Sequence, residues 1–264
     1  MLLTDLFGWH NLLATQSSGE SFFLSFLVVL HVATALALLI FYRREWIKII
    51  RGFFRSITAR KVSSPYEKLA WLLVIATIPA GLMGVLFEHI LREQFAKPLA
   101  AAVFLVINGF ILLAGERARK TRHDRSDFSM EKSAENASKI SPKRAGIIGL
   151  AQVFALLAGI SRSGITMVSG LYSGLDYEDS ARFSFLLATP IIFAAGVYKL
   201  PDFFGPLADG SRPQMLAGGV AAGIAAYLSV RFLDKYFKNK SLKPFAIYCL
   251  GFGIFMIGFQ ILAR

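Results

Sequence analysis

The chain has 264 residues, of which 55% are hydrophobic and 17% charged, and its mean hydropathy is +0.55. This balance is typical of a polytopic membrane protein and excludes an ordinary soluble domain. The formal net charge of +12 does not indicate nucleic-acid binding, because the basic residues lie between apolar stretches, as the positive-inside rule expects. A single cysteine, Cys249, excludes a disulfide framework and a cysteine-based metal site.

Residues 1–21 contain no Lys or Arg, so they do not resemble a cleavable signal peptide, and we predict a loop there. Six apolar stretches follow, each close to the roughly 20 residues that a helix needs to cross a bilayer. The sequence therefore predicts an all-α polytopic membrane protein with six transmembrane helices. The predicted spans are 22–42, 69–87, 98–115, 181–198, 214–232 and 244–262.

Three basic segments separate these spans: 43–68, 116–144 and 231–243. Together they hold 22 of the 29 Lys and Arg residues. Because short cytoplasmic segments are enriched in Lys and Arg, we place all three on the cytoplasmic side. The segments 88–97 and 199–213 are then external turns, and the long segment 116–144 is expected to be flexible in its middle.

This orientation constrains residues 145–175, which must start and finish on the cytoplasmic side. The segment is too short for two helical crossings, so it predicts a re-entrant helical hairpin that faces protein or a water-filled cavity. We predict one integral membrane domain over 1–264. It comprises a first half (22–115), a basic cytoplasmic loop (116–144) and a second half (145–264) that contains the hairpin.

The two halves have opposite orientations, which suggests an inverted-repeat architecture with the working site at their interface. By that symmetry a first hairpin would precede residue 22. Residues 1–21 cannot build one, so we expect the first hairpin to be missing.

The tip of the predicted hairpin reads Gly159-Ile160-Ser161-Arg162-Ser163-Gly164-Ile165-Thr166. A guanidinium at membrane depth is costly and indicates function. Glycines allow the backbone N–H groups to approach a ligand, and Arg, hydroxyls and free N–H groups together favour a phosphate site. The alternative is a polar helix–helix contact, with Arg162 extending to the membrane surface.

These residues resemble the undecaprenyl-pyrophosphate phosphatase family, the bacitracin-resistance type of bacterial inner-membrane enzyme. The resemblance extends to the segments 149–152, 181–190 and 243–248, and covers essentially the whole chain from residue 22 onward. Ala158 stands where the family has proline. The family's N-terminal E-x-x-x-E helix and Pro-x-Ser-Ser-x-Gly-His turn, which would supply an acidic pair, a serine and a histidine, are absent.

The resemblance implies hydrolysis of undecaprenyl diphosphate to undecaprenyl phosphate and inorganic phosphate. This reaction recycles the lipid carrier for peptidoglycan synthesis and confers bacitracin resistance. It also implies a multi-pass protein of the bacterial cytoplasmic membrane, stimulated by a divalent cation such as Mg or Ca. We predict no metal ligands in this chain. The predicted partners are a polyprenyl diphosphate lipid and the bilayer, with no nucleic acid, and homodimer formation is left open.

Eight residues are predicted to form the site. The predicted catalytic residues are Arg162, as the diphosphate clamp, with Ser161, Ser163 and Thr166. The predicted substrate-binding residues are Gly159, Gly164, Gln152 and His31. Outside the site, we expect Arg182 to extend to the cytoplasmic interface, and Asp176, Glu178 and Asp179 to form a hydrated turn.

Two alternatives to the enzyme stay open: a polyprenyl-phosphate transporter or flippase, since inverted repeats with broken hairpins are transporter architecture, and a catalytically impaired paralogue. A third class is excluded. The phosphatidic-acid-phosphatase-like superfamily requires a histidine about five residues after the arginine, and residues 163–168 contain none.

Overall fold

The computed structural model describes residues 22–87, 97–120, 130–198 and 212–262, and within these ranges the chain is helical. The predicted all-α class is therefore confirmed, whereas the predictions for residues 1–21 and for most of both external turns lie outside the described residues. The helices are α1 (Phe22–Phe41), α2 (Arg43–Ala59), α3 (Pro65–Leu86), α4 (Pro98–Lys120), α5 (Met130–Ser138), α6 (Pro142–Val153), α7 (Arg162–Tyr172), α8 (Tyr177–Tyr198), α9 (Arg212–Asn239) and α10 (Lys243–Leu262).

Five of the described helices, α3, α4, α8, α9 and α10, are long and apolar enough to cross a membrane. They coincide with the second to sixth predicted spans. The first predicted span falls on α1, whose apolar stretch is shorter, Val29–Phe41. The chain is therefore a polytopic membrane protein.

The start of α3 shows why the helices are longer than the predicted spans. Ser64 caps the helix by accepting a hydrogen bond from the Glu67 N–H at 3.3 Å, and Glu67 Oε2 accepts one from the Ser64 N–H at 3.1 Å. This capping box, with Pro65 in the first turn, begins the helix before the apolar run starts at residue 69. α4 is also longer than its predicted span, which ended at Gly115, and it continues to Lys120.

The basic segments are not loops throughout. α2 occupies most of segment 43–68, and α5 with the start of α6 occupies the second half of segment 116–144. The prediction that these segments are loops was wrong. It was based on charge alone, whereas Arg and Lys are good helix formers. The predicted flexibility in the middle of segment 116–144 is not tested, because residues 121–129 lie outside the described residues.

The molecule is built around α8. Of its apolar span, 72% is buried inside the protein, against 11% for α9. Phe183, Leu186 and Leu187 of α8 are among the most deeply buried side chains. α8 packs against α1, α3, α7 and α9, while α10 lies along α4. The exposed apolar side chains of α9 and α10 lie on the outside, where the lipid would be.

Arg182, near the start of α8, corrects one sequence prediction. It does not extend to the membrane surface but is buried, and its Nη2 donates to Glu45 Oε1 of α2. The carboxylate of Glu45 is also buried, so an ion pair compensates the cost of placing either charge there. The sequence prediction failed because Glu45 is far from Arg182 along the chain.

Asp179 corrects another. It was expected in a hydrated turn, but it is buried, and Asp179 Oδ2 accepts a hydrogen bond from Asn136 Nδ2 of α5 at 3.0 Å. Packing of α5 on α8 removes this carboxylate from water.

The predicted hairpin is present. α6 has 12 residues and α7 has 11, and they pack together across a short connection that includes a 3-10 turn at Phe154–Leu156. Neither helix is long enough to cross a bilayer, for which about 20 residues are needed. The hairpin therefore enters the protein and returns on the same side.

Candidate active site

The hairpin tip ends where Ser161 caps α7. Ser161 has extended backbone geometry, and its Oγ accepts a hydrogen bond from the Gly164 N–H at 3.2 Å. A serine at this position satisfies one of the N–H groups that the first helical turn leaves unpaired. Arg162 and Ser163 therefore lie in the first turn of α7, at the positive end of the helix dipole.

Gly159 fixes how the tip approaches α4. Its φ is +105°, in the region that favours glycine. A Cβ atom at this position would lie 2.3 Å from the Ala101 carbonyl oxygen and 2.8 Å from the Leu105 nitrogen. The lack of a side chain at Gly159 therefore allows the hairpin tip to contact the α4 backbone.

Asn108 of α4 holds the cap residue in place. Its Oδ1 accepts a hydrogen bond from the Ser161 N–H at 3.0 Å, and its Nδ2 donates to Cys249 Sγ of α10 at 3.3 Å. Asn108 is only 1% exposed. The sequence predictions missed this residue, although an amide in the middle of an apolar span was a usable signal.

A second link joins α7 to α8. Ser184 Oγ donates to the Ser163 carbonyl at 3.0 Å and lies 2.6 Å from Thr166 Oγ1. Thr166 Oγ1 also donates to the Arg162 carbonyl at 2.8 Å. Thr166, predicted to be catalytic, is buried and bonded within this link, so its hydroxyl fixes the helix pair.

A cavity of about 440 Å³ opens beside the start of α7. Side chains of α4, α7, α8, α9 and α10 line it, and most of them are apolar. Polar groups are concentrated near the hairpin tip, where the Oγ atoms of Ser161 and Ser163 lie 3.4 Å apart. Gly164 lines the same wall. The remaining polar or sulfur-bearing lining residues are Asn108, Met167, Ser184, Tyr248 and Cys249.

Arg162 lies between two lining residues but is not itself part of the cavity wall. The residue is partly buried, and its Nε atom is fully buried without a hydrogen-bond partner. Its side chain makes no ion pair with any other residue that the structure describes. A partly buried guanidinium without an ion-pair partner is able to bind an anion.

The structure brings together Gly159, Ser161, Ser163 and Gly164, but not all of the predicted site residues. Gln152, on α6, is 1% exposed, and neither amide atom has a hydrogen-bond partner among the described residues. His31 is exposed on α1. Neither Gln152 nor His31 lines the cavity.

The residues described do not fit the divalent cation that the family resemblance implies. Across 22–87, 97–120, 130–198 and 212–262, no three His, Cys, Asp or Glu side chains come together to hold a metal ion. Carboxylate oxygens are the usual protein ligands of Mg and Ca, and none lies among the residues that line the cavity.

Comparison with known proteins supplies the family. Residues 2–255 match the family model described as "Bacitracin resistance protein BacA". An undecaprenyl-diphosphatase 2 of Frankia alni is 45% identical, over 95% of this chain and 88% of its own length. An undecaprenyl-diphosphatase of Mycolicibacterium paratuberculosis is 50% identical, over 88% of this chain and 80% of its own length. An undecaprenyl-diphosphatase 2 of Burkholderia ambifaria is 43% identical, over 99% of this chain and 88% of its own length. The chain therefore belongs to the bacitracin resistance protein BacA family.

Proposed function

We propose that this chain hydrolyses undecaprenyl diphosphate to undecaprenyl phosphate and inorganic phosphate in the bacterial inner membrane. The reaction returns the lipid carrier to peptidoglycan synthesis, and by recycling this carrier the chain confers resistance to bacitracin. The names of the relatives support the activity. The observation that carries the proposal is the apolar cavity with hydroxyl groups at one end, on the hairpin tip that also carries the unpaired Arg162.

The shape and polarity of the cavity suit an amphiphilic substrate. Its apolar walls, built from five helices, match a polyprenyl chain, and the hydroxyls of Ser161 and Ser163 are placed to donate to phosphate oxygens. Ser161 Oγ accepts a bond from the Gly164 N–H, which does not use its hydroxyl hydrogen, and that hydrogen can be donated either to Ser163 Oγ or to a ligand. The N-terminus of α7 adds a favourable field for the anionic headgroup.

Arg162 is the residue that we assign to charge stabilisation. Hydrolysis adds water across the bond between the terminal phosphorus and the bridging oxygen, which leaves with the lipid monophosphate. Negative charge therefore builds on the bridging oxygen and the phosphoryl group. A guanidinium offers several donors in a fixed plane, and it stabilises this charge most where water is excluded.

The other predicted site residues have different support. Thr166 acts, in this proposal, through the Arg162 carbonyl and Ser184 rather than on substrate. Gln152 lies outside the cavity wall, so a substrate contact by its buried, unpaired amide stays a prediction. A substrate contact by His31 stays a prediction, as does homodimer formation, which mass measurement in lipid nanodiscs would test.

The test is release of phosphate from undecaprenyl diphosphate by the purified protein in detergent. We expect Arg162→Ala to lower kcat/KM by about 10²–10³-fold, as removal of a main transition-state donor does. Lys143→Ala is the matched control, because it removes an exposed cation from the same hairpin. We expect its activity to stay within about twofold of the parent protein.

Two results would contradict the proposal. Full activity of the Arg162→Ala protein would remove Arg162 from the reaction. Binding of polyprenyl phosphate that depends on Arg162, without phosphate release by the parent protein, would favour a transporter or flippase. Movement of the lipid between leaflets of proteoliposomes would then be measured.

A further inference from the structure

α2 is a helix with three distinct faces. One face is buried and carries Glu45, Ile49, Gly52 and Ser56. It packs closely on α3: a Cβ atom at Gly52 would lie 3.1 Å from the Glu67 nitrogen. The contact fixes how α2 is rotated about its own axis, and so determines which side chains the other two faces present.

The second face is an exposed apolar stripe of Ile47, Ile50, Phe54 and Ile57. These positions are three or four residues apart and therefore lie along one side of the helix. All four are exposed, Phe54 to 63%. In water this stripe would be unfavourable, whereas at the edge of the hydrocarbon region it is favourable.

The third face is a basic stripe of Arg44, Lys48, Arg51 and Arg55, again spaced by three or four residues. Lys48 pairs with Glu131 at 3.1 Å, and Arg55 Nε lies 3.6 Å from Glu67 Oε1. Arg44 and Arg51 are exposed, and neither makes a hydrogen bond or ion pair with another residue in the described part of the chain. Two cations of this stripe are thus available to a partner.

We propose that α2 lies in the cytoplasmic interface of the bilayer and binds anionic phospholipid headgroups through Arg44 and Arg51. A helix with an apolar stripe beside a basic stripe matches the boundary between acyl chains and headgroups. The charge of the stripe complements the negative cytoplasmic leaflet. An acidic protein or a nucleic acid would meet the cations but leave Ile50 and Phe54 in water, so the lipid surface fits both stripes.

The experiment titrates the full-length protein in neutral detergent with phosphatidylglycerol and, separately, with phosphatidylcholine, and counts bound lipids by native mass spectrometry. We expect phosphatidylglycerol to bind more tightly than phosphatidylcholine. Arg44→Gln with Arg51→Gln should weaken its binding by about 10- to 30-fold, since each basic side chain near an anionic surface contributes about fivefold. Phosphatidylcholine binding should not change.

Lys97→Gln is the control, because it removes an exposed cation from segment 88–97, which the charge pattern places on the opposite side of the membrane from α2. Its phosphatidylglycerol binding should match the parent protein. Equal loss in Lys97→Gln and in the Arg44→Gln, Arg51→Gln variant, or loss in neither, would overturn the proposal. Arg44→Lys with Arg51→Lys keeps the charge and should retain binding within about threefold, which separates lipid contact from misfolding.

Discussion

At the scale of single residues, Arg162 is held at a cost to the fold. Its Nε atom is buried without a partner, and no carboxylate among the described residues compensates its charge. Glu45 and Arg182 show the opposite arrangement of charge, because both are buried and they form an ion pair with each other. The comparison separates a structural arginine from one that is kept for a ligand.

This difference predicts an unusual pair of effects for Arg162→Met. The substitution removes an unpaired, partly desolvated charge, so the melting temperature in detergent should be equal to or higher than that of the parent protein. Phosphate release should nevertheless fall by about 10²–10³-fold. A clear drop in melting temperature would show that Arg162 stabilises the hairpin instead.

Asn108 is the residue that connects the hairpin tip to both α4 and α10. Asn108→Leu would leave the partly buried Ser161 N–H without its partner, and we expect a loss of about 1–3 kcal/mol in the free energy of unfolding. Because the Ser161 hydroxyl would also lose its position, kcat should fall more than KM rises. Both quantities are measurable by chemical unfolding and phosphate release in detergent.

Thr189→Val is the control for this substitution. Thr189 is equally buried in a spanning helix, but its hydroxyl donates to the Phe185 carbonyl of its own helix, away from the tip. Its kcat should stay close to the parent value. If Asn108→Leu lowers stability but leaves kcat unchanged, the amide has no role in positioning Ser161.

At the scale of elements, the hairpin offers two glycines in contrasting environments. Gly159 has φ +105° and no room for a Cβ atom, whereas nothing lies within 4 Å of a Cβ placed at Gly146 in α6. Gly159→Ala should therefore destabilise the protein by about 2–4 kcal/mol. Gly146→Ala should stabilise it by about 0.5–1 kcal/mol, through helix propensity alone.

The measurement is the thermal unfolding of both variants in the same detergent. Phosphate release should be lost in Gly159→Ala and kept in Gly146→Ala, because only the first displaces the tip from α4. Equal stability of the two variants would mean that the close approach of the tip to the Ala101 carbonyl is not required.

Across the whole molecule, the sequence predicted the membrane spans and the hairpin tip, but not the contacts between residues that are distant along the chain. Apolar length identified the helices that cross, and counting crossings identified the hairpin, because both depend on the bilayer thickness. The Ser-Arg-Ser tip was recognisable since its chemistry is local. Pairings across the chain were not predictable: Arg182 with Glu45, and Asn108 with Ser161, join residues that only the packed fold brings together.

The errors at the cytoplasmic side concern the secondary structure of the basic segments. Charge alone indicated loops, and α2 showed that a charged segment with apolar residues at helical spacing is a helix. His31 and Gln152 illustrate a related weakness. A polar residue inside an apolar span indicates function or packing, but the sequence does not say which cavity or neighbour it will face.

The position of Cys249 provides a native site for covalent labelling of the cavity. This thiol is the sole cysteine of the chain, and it belongs to the wall that also carries Ser161 and Ser163. A thiol-selective electrophile joined to an isoprenoid-like tail would therefore have a single cysteine of the chain to react with, and its rate would report whether the cavity is occupied. Because a covalent adduct there would fill the space assigned to the lipid, Cys249 is also the point at which an irreversible inhibitor of this chain would attach.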